Sequence, residues 1–367
     1  MVAGTMMAAV YHGNRDIRVE EVPTPTPGPG ELLLEVHSAG VCGTDASEYA
    51  KGPFQYPIAK RHPVTGHLGP FIPGHEPSGR VVSWGTGVTG YAEGDLVASG
   101  AGISCGECPA CRVGHTNFCK TYNTVGLQRN GSLAQYCVIP ASCCLNVTSL
   151  GLTDDAAALS QPMSIAVHST RQGLLQPDQH ALLVGAGGIG AFIVYCIAQT
   201  GARLTAVDLD AERLEIAQRL GAHTVIQAPP EVPLRETLEG KIDQPIDVVY
   251  EATAKEGSVA AAMELLVPRG RLVMIGLTGG LMPVDLRRLT LREVALVGTM
   301  AHAFPADFPE AVRLLGTRQE GWNDLAPRAL PLTDLVEGAL IPMAEGRSKR
   351  IKTLLDPWAD EPRPTVT

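Results

Sequence analysis

The fold of this chain is indicated first by the ten residues Ala181-Leu182-Leu183-Val184-Gly185-Ala186-Gly187-Gly188-Ile189-Gly190. The four apolar residues predict a buried strand, and the pattern Gly-x-Gly-x-x-Gly follows directly, at the start of a helical pattern. As an isolated string this glycine pattern is a weak signal. Between a strand and a helix it favours a tight turn where a pyrophosphate meets the helix N-terminus, and it predicts as cofactor-binding residues Gly185, Gly187, Gly188, Ile189 and Gly190.

An acidic residue lies where a dinucleotide site needs one. The apolar run 204–207 ends at Asp208, about 20 residues after the glycines. A carboxylate there accepts hydrogen bonds from the adenosine ribose and repels a 2′-phosphate, so NAD is favoured over NADP. Arg213, on the helix that follows, is either a contact for the adenine face or a solvated helix charge.

The pattern of strand, helix, strand continues to about residue 305 and predicts a doubly wound parallel sheet. Before it, short apolar alternations between Gly- and Pro-rich turns predict a mostly β domain. We therefore expect an α/β protein with a β domain at 1–161 and a dinucleotide-binding domain at 162–305. The Pro-rich, charged residues 356–367 are expected to be disordered.

Composition excludes several classes of function. The 367 residues carry 29 Lys and Arg against 38 Asp and Glu, and the net charge of −9 repels phosphate backbones and anionic lipid. We therefore expect neither a nucleic-acid nor a membrane partner. No run approaches about 20 apolar residues, and the first residues do not resemble a signal peptide, which favours the cytoplasm.

Four of the nine cysteines cluster as Cys105-x2-Cys108-x2-Cys111-x7-Cys119. An odd number of cysteines and such tight clustering argue against a secreted disulfide framework. Four thiolates from one short loop can close a tetrahedral zinc shell. Because a closed shell leaves no open position, this zinc is expected to be structural.

Two further motifs combine a zinc-type ligand with glycines and a carboxylate. They are Gly40-Val41-Cys42-Gly43-Thr44-Asp45 and Gly74-His75-Glu76-Pro77-Ser78-Gly79. Either motif alone is ambiguous.

Taken in order, the four motifs resemble the zinc-containing medium-chain dehydrogenase/reductase family, the alcohol dehydrogenase superfamily, over essentially the whole chain. Within it the chain is most similar to the 2,3-butanediol and sorbitol dehydrogenase branch, because His62-Pro63-Val64-Thr65-Gly66 forms an insertion before the second motif. The resemblance implies a GroES-like catalytic domain, a Rossmann domain, and a return to the catalytic domain at 306–367. It also implies a homodimer or homotetramer.

The same resemblance implies a catalytic zinc. Cys42 and His75 would ligate it with Glu76 beside them, and Asp45 would orient a ligand. Thr44 would hydrogen-bond the substrate oxygen and pass on its proton.

Two positions depart from the family. The polyol branch usually has glutamate where this chain has Gln161, and Cys42, His75 and a neutral Gln would leave Zn²⁺ with a net charge of +1. Glu76 or Gln161 would then complete the site, and Gln161 as a hinge residue without a metal role is the alternative. Ser47 replaces a family histidine, so proton release runs through Thr44, with Tyr49 as a further candidate.

Further cofactor contacts rest on the resemblance alone. Those expected along the nicotinamide are Ile275, Gly276, Leu277, Thr299 and Met300. Lys352 is expected at the pyrophosphate. Core positions for the apolar residues and a solvated charge for Lys352 are the alternatives.

The expected reaction is reversible NAD-linked oxidation of a secondary alcohol, preferably a diol or polyol, to a ketone, with two zinc ions per subunit. The partner would be the small-molecule alcohol or ketone. Alternatives within the family are glucose-type and threonine-type dehydrogenases. A zinc-free reductase or a non-catalytic NAD-binding protein would leave Cys42, Thr44 and His75 without a use.

Overall fold

The computed structural model describes residues 3–277 and 280–367. Its strands are, in chain order, β1 (Thr5–Gly13), β2 (Asp16–Pro23), β3 (Glu31–Val41), β4 (Glu76–Trp84), β5 (Leu96–Ser99), β6 (Gly102–Ile103), β7 (Asn123–Thr124), β8 (Tyr136–Pro140), β9 (Cys144–Asn146), β10 (His180–Val184), β11 (Arg203–Asp208), β12 (Thr224–Gln227), β13 (Ile246–Glu251), β14 (Leu266–Met274), β15 (Ala295–Gly298), β16 (Arg328–Leu330), β17 (Thr353–Leu355) and β18 (Arg363–Pro364). Its α-helices are α1 (Gly43–Lys51), α2 (Pro109–Arg112), α3 (Asp154–Ala158), α4 (Ser160–Gln172), α5 (Gly188–Ala198), α6 (Ala211–Arg219), α7 (Leu234–Leu238), α8 (Glu256–Leu265), α9 (Leu286–Leu291), α10 (Phe304–Leu315) and α11 (Ile341–Ala344).

The chain divides into two compact units. One joins Met1–Ser164 to His302–Thr367, and the other is the continuous segment Ile165–Ala301. The breaks expected from the sequence were after residues 161 and 305.

The first unit is built on an eight-stranded sheet in which β3 is central. This strand pairs antiparallel with β4, β8 and β17. Its apolar side chains Leu32, Leu34 and Val36 are fully buried in the main core of the unit. The mostly β, GroES-like domain expected from the sequence is confirmed.

The C-terminal residues are ordered, so the expectation of a disordered tail is wrong. Both terminal nitrogens of Arg363 donate to the carboxylate of Asp155, at 2.8 and 3.0 Å. The N–H of Val366 donates to the same buried carboxylate at 2.8 Å, and β18 pairs with β16. The charges of the tail neutralise a carboxylate about 200 residues away, which local composition cannot reveal.

The second unit contains a six-stranded sheet in the order β12-β11-β10-β13-β14-β15, in which each strand runs parallel to its neighbours. The order reverses beside β10, as expected for a doubly wound sheet, and a ligand crevice belongs at that point. Register places Val184, at the end of β10, between Val207 and Glu251. The Rossmann fold expected from the sequence is confirmed.

Hydropathy gives no sign of a membrane span in the described residues, because no helix there combines the necessary length with an apolar surface.

Candidate zinc and dinucleotide sites

Three neighbouring strands bring the first set of candidate ligands together. Gly40 of β3 lies opposite Glu76 on one side and Leu354 on the other, and Cys42 follows the end of β3. Because Gly40 has no side chain, Glu76 can lie over the strand: a Cβ at this position would collide with the Glu76 carboxylate. The strand register therefore assembles residues from three distant parts of the sequence.

Cys42, His75 and Glu76 each offer a ligand atom, and these three atoms lie within 4.8 Å of one another. His75 and Glu76 are buried, while Cys42 is partly exposed. Thiolate, imidazole and carboxylate are the ligand types that zinc takes in proteins, and their mutual distances suit a shared ion. The donor set therefore fits a zinc ion.

Asp45 supports two of these ligands from behind. Its Oδ2 accepts the N–H of Cys42 at 2.9 Å, and its Oδ1 lies 3.5 Å from Nδ1 of His75. Tyr56 donates its hydroxyl to the same Oδ1 at 2.9 Å. Burial raises the pKa of Asp45, but His75, the Cys42 N–H and Tyr56 together lower it below its usual value, so Asp45 is ionised. Tyr56 was not expected from the sequence.

Lys352 lies in the first unit, with its Nζ 2.5 Å from Oε1 of Glu76. Only 5% of its side chain is exposed. Burial lowers the pKa of Lys352, but Glu76 and Cys42 raise it above its usual value, so the ammonium stays charged. The ammonium of Lys352 is thus held by a buried carboxylate of the candidate zinc site. Its contact with the pyrophosphate stays a prediction.

The candidates for proton transfer lie on α1. Thr44 is partly exposed, and its Oγ1 lies 3.8 Å from Sγ of Cys42. Ser47 is exposed on the same helix. Tyr49 packs in the main apolar core of the unit, which argues against the proton route through it that the sequence left open.

Gln161 is the second residue of α4 and is buried. Its main-chain oxygen accepts the Ser164 hydroxyl at 2.6 Å. Its role as a zinc ligand stays a prediction.

The four clustered cysteines form a second group whose sulfur atoms lie within 4.8 Å of one another. The Sγ atoms of Cys108 and Cys111 are 3.5 Å apart, close to the roughly 3.8 Å edge of a tetrahedral zinc–thiolate shell. The N–H groups of Cys105 and Thr121 point at Sγ of Cys119, at 3.2 and 3.4 Å. Burial raises the pKa of Cys119, but these donors and the Thr121 hydroxyl lower it to about 6. All four are free thiols, and this group fits a structural zinc.

A cavity of about 480 Å³ lies at the carboxyl ends of the strands in the second unit. A Cβ at Gly190 would collide with the carbonyl of Gly185, so the tight turn requires glycine. Helix α5 begins at Gly188 without a side-chain cap, which leaves its first N–H groups available to an anion. The predicted residues that line this cavity are Gly185, Gly187, Gly188, Ile189, Gly190, Asp208, Arg213 and Ile275.

Asp208 also holds the glycine turn. Its Oδ2 accepts the N–H of Ala186 at 2.7 Å and its Oδ1 accepts the N–H of Asp210 at 3.0 Å. Arg213 lies 4.0 Å from Oδ1, so the negative charge at the cavity wall is partly balanced. The cavity therefore fits a dinucleotide, with a carboxylate where the adenosine ribose would bind.

Four predicted nicotinamide contacts are not among the residues that line this cavity: Gly276, Leu277, Thr299 and Met300. Leu277 is 88% exposed. Their contact with the nicotinamide stays a prediction.

Sequence reasoning missed Glu251 at the end of β13. Its buried carboxylate accepts the N–H groups of Thr253 and Ala254, at 3.0 and 2.8 Å, and shapes the turn beside the cavity. Lys255 and Ser258 line the cavity beyond this turn. The available signal was an acidic residue directly after an apolar strand.

Two models of known protein families match the chain. Residues 28–149 match the family model "Alcohol dehydrogenase GroES-like domain" and residues 188–317 match "Zinc-binding dehydrogenase". With the fold, these matches define an oxidoreductase of the alcohol dehydrogenase type.

Relatives cover nearly the whole chain. Sorbitol dehydrogenase of Homo sapiens is 29% identical over 97% of this chain and 98% of its own length. The 2-dehydro-3-deoxy-L-galactonate 5-dehydrogenase of Pseudoalteromonas atlantica is 28% identical over 97% of this chain and 100% of its own length. The crystal structure of 2R,3R-butanediol dehydrogenase from Bacillus subtilis superposes with a TM-score of 0.87, at 26% identity over 96% of this chain and 99% of that one. The chain belongs to the zinc-containing medium-chain dehydrogenase/reductase family, the alcohol dehydrogenase superfamily.

Proposed function

We propose that this protein is a zinc-dependent dehydrogenase that oxidises a secondary alcohol, preferably a diol or polyol, reversibly to a ketone with NAD⁺. The observation that carries the proposal is the cluster of Cys42, His75 and Glu76, supported from behind by Asp45. These residues have no evident use in a zinc-free reductase or a non-catalytic NAD-binding protein.

When bound, zinc supplies a Lewis acid for the alcohol oxygen and NAD⁺ supplies the hydride acceptor. The chain supplies charge balance. With zinc bound, the anionic forms of Cys42, Asp45 and Glu76 would carry three negative charges against one positive charge on Lys352, which would leave two negative charges to match a divalent cation. Glu76 would thus offset the net positive charge expected for a site of Cys42, His75 and Gln161.

Thr44 is proposed as the first proton acceptor. Its Oγ1 lies beside the candidate ligand Cys42 and is partly exposed, so it can take a proton from a substrate hydroxyl and pass it to water. Asp45 keeps His75 and Cys42 oriented while this happens.

Named relatives support the preference for a diol or polyol, and the charge of Asp208 supports the preference for NAD. The relatives named for sorbitol and 2R,3R-butanediol support a substrate with neighbouring hydroxyls. Asp208 supports NAD, because its carboxylate would face the 2′-phosphate of NADP. Glucose-type and threonine-type substrates are the alternatives.

We propose that the protein assembles as a homodimer or homotetramer. Its binding partner is the small-molecule alcohol or ketone. The nine free cysteines support a reducing compartment such as the cytoplasm. Light scattering coupled to gel filtration measures the assembly, and a monomer at micromolar concentration would contradict it.

The deciding experiment combines metal analysis with NAD⁺ reduction on a panel of diols, polyols, aldoses and simple alcohols. We expect two zinc ions per chain and selective turnover of diols or polyols. Cys42→Ser should lose one zinc ion and at least about 100-fold in kcat/KM, because Lewis-acid stabilisation is worth several kcal/mol. Cys196→Ala, in the second unit, is the matched control and should keep both ions. Full activity of Cys42→Ser would exclude a catalytic zinc.

A further inference from the structure

The carboxylate of Asp45 is 1% exposed and depends on protein donors. Two of them form well-made hydrogen bonds, the N–H of Cys42 and the hydroxyl of Tyr56, each at 2.9 Å. His75 lies farther off, at 3.5 Å. Tyr56 is therefore the one well-bonded side-chain donor to Asp45 among the contacts that the structure describes, and it lies outside both ligand motifs.

Tyr56 is itself held firmly. Its ring packs edge-on against Tyr11 and Phe71, with centroids 4.9 and 4.5 Å apart. Burial and the charge of Asp45 raise the pKa of Tyr56 well above its usual value, so the hydroxyl remains a donor. Tyr56 is 4% exposed, which leaves little room for water to replace it.

Helix α1 fixes the chain that leads to Tyr56. The carboxylate of Glu48 accepts the N–H groups of Phe54 and Gln55, at 2.8 and 2.6 Å. Glu48 lies one turn after Asp45 on the same helix. One helix thus carries the carboxylate that Tyr56 contacts and the carboxylate that holds the preceding residues.

The loop that contains the insertion folds back to the aromatic residues around Tyr56. The N–H of Gly69 donates to the carbonyl of Pro57 at 3.0 Å, and the N–H of His62 donates to the carbonyl of His67 at 2.9 Å. The loop 57–70, which contains the insertion 62–66, therefore leaves directly after Tyr56 and returns to Phe71, the aromatic partner of Tyr56. The insertion that marks the sequence closes on the aromatic cluster behind the zinc ligands.

We propose that Tyr56 is a positioning residue of the zinc site: its hydroxyl holds Asp45 in the orientation that supports Cys42 and His75. The inference rests on the proposed function, because orientation of these two side chains matters for a bound metal. Loss of a group that supports the ligands typically lowers metal affinity about 10- to 100-fold, and we expect the lower end, since Asp45 keeps its other donors.

The test is zinc release to a chelator, followed with a colorimetric metal indicator. Tyr56→Phe removes one hydroxyl and keeps the ring. Tyr11→Phe is the matched control, because this neighbouring hydroxyl donates to the main-chain oxygen of Glu48, at 3.2 Å, and does not contact Asp45. Circular dichroism during heating measures whether the two variants lose similar stability.

We expect two release phases in the unchanged protein, and Cys42→Ser identifies the one that belongs to the catalytic site. Tyr56→Phe should shift that phase to about tenfold lower chelator concentration and leave the four-cysteine phase in place, while Tyr11→Phe shifts neither. Equal shifts in both variants, or no shift in Tyr56→Phe, would overturn the inference. If the unchanged protein has only the four-cysteine phase, the proposed function itself fails, and the role of Tyr56 fails with it.

Discussion

Replacing Lys352 by methionine tests the buried ion pair with Glu76. Methionine has a similar length without the charge, so the Glu76 carboxylate, which is fully buried, would lose its partner. Removing one member of a buried pair costs about 3–5 kcal/mol, because the remaining charge stays in a medium of low polarity. Both side chains are at least 95% buried, so screening by solvent does not reduce this range.

The assay is thermal unfolding of the protein after removal of metal with a chelator, followed by calorimetry, because a cation bound beside Glu76 would replace the missing ammonium. At about 2–4 °C per kcal/mol for a unit of this size, Lys352→Met should lower Tm by about 6–20 °C. Lys51→Met is the matched control, because Lys51 is exposed at the end of α1 and should change stability by less than about 0.5 kcal/mol. The double variant Lys352→Met/Glu76→Gln should recover most of the loss, since no unpaired charge remains.

The reasoning is refuted if Lys352→Met unfolds at the same temperature as Lys51→Met. It is also refuted if the double variant is less stable than Lys352→Met, because the unpaired carboxylate would then not be the cause.

Three further outcomes follow from contacts described above. Arg363→Leu should destabilise the protein by about 1–3 kcal/mol, measured by thermal unfolding, because buried Asp155 loses two hydrogen bonds from a partly exposed partner. An unchanged Tm would show that the pair of Arg363 with Asp155 adds no stability. Asp208→Ser should raise the ratio of kcat/KM for NADP⁺ to that for NAD⁺ by about tenfold or more, since one negative charge that repels the 2′-phosphate is removed. An unchanged ratio would show that the 2′-phosphate does not bind beside Asp208. Burial raises the pKa of Cys137 to about 12, above the roughly 8.5 of an exposed thiol. The contribution of the buried thiol to the free energy of unfolding is therefore complete below about pH 8.5 and is lost as the pH rises to about 12. Cys137→Ala should flatten this decline of the free energy of unfolding in urea titrations, and parallel declines in the two proteins would contradict the raised pKa.

Local sequence patterns were sufficient to predict the fold of the second unit and its glycine turn. The glycine turn and Asp208 depend on a strand, a turn and a helix that are adjacent in sequence, so periodicity and spacing predicted the parallel sheet and these residues of its cavity. The four cysteines were found for the same reason, because fifteen consecutive residues contain all of them.

The candidate zinc site in the first unit depends on contacts that local sequence patterns do not predict. Spacing identified the motifs of Cys42 and His75, but Lys352 reaches Glu76 only through the pairing of β17 with β3. Tyr56 is in no motif, and it meets Asp45 through the turn after α1, where Glu48 holds Phe54 and Gln55. Contacts between residues far apart in sequence depend on strand register, which a single sequence does not reveal.

The discontinuous first unit also sets the order in which the sites can form during synthesis. The second unit is one continuous segment, so it can fold as it leaves the ribosome. The end of β3 receives its neighbour β17 only after Thr353–Leu355 have been made. Cys42, which follows β3, therefore acquires its complete surroundings only at the end of synthesis, whereas the second unit can already be folded on the nascent chain before the candidate metal site closes.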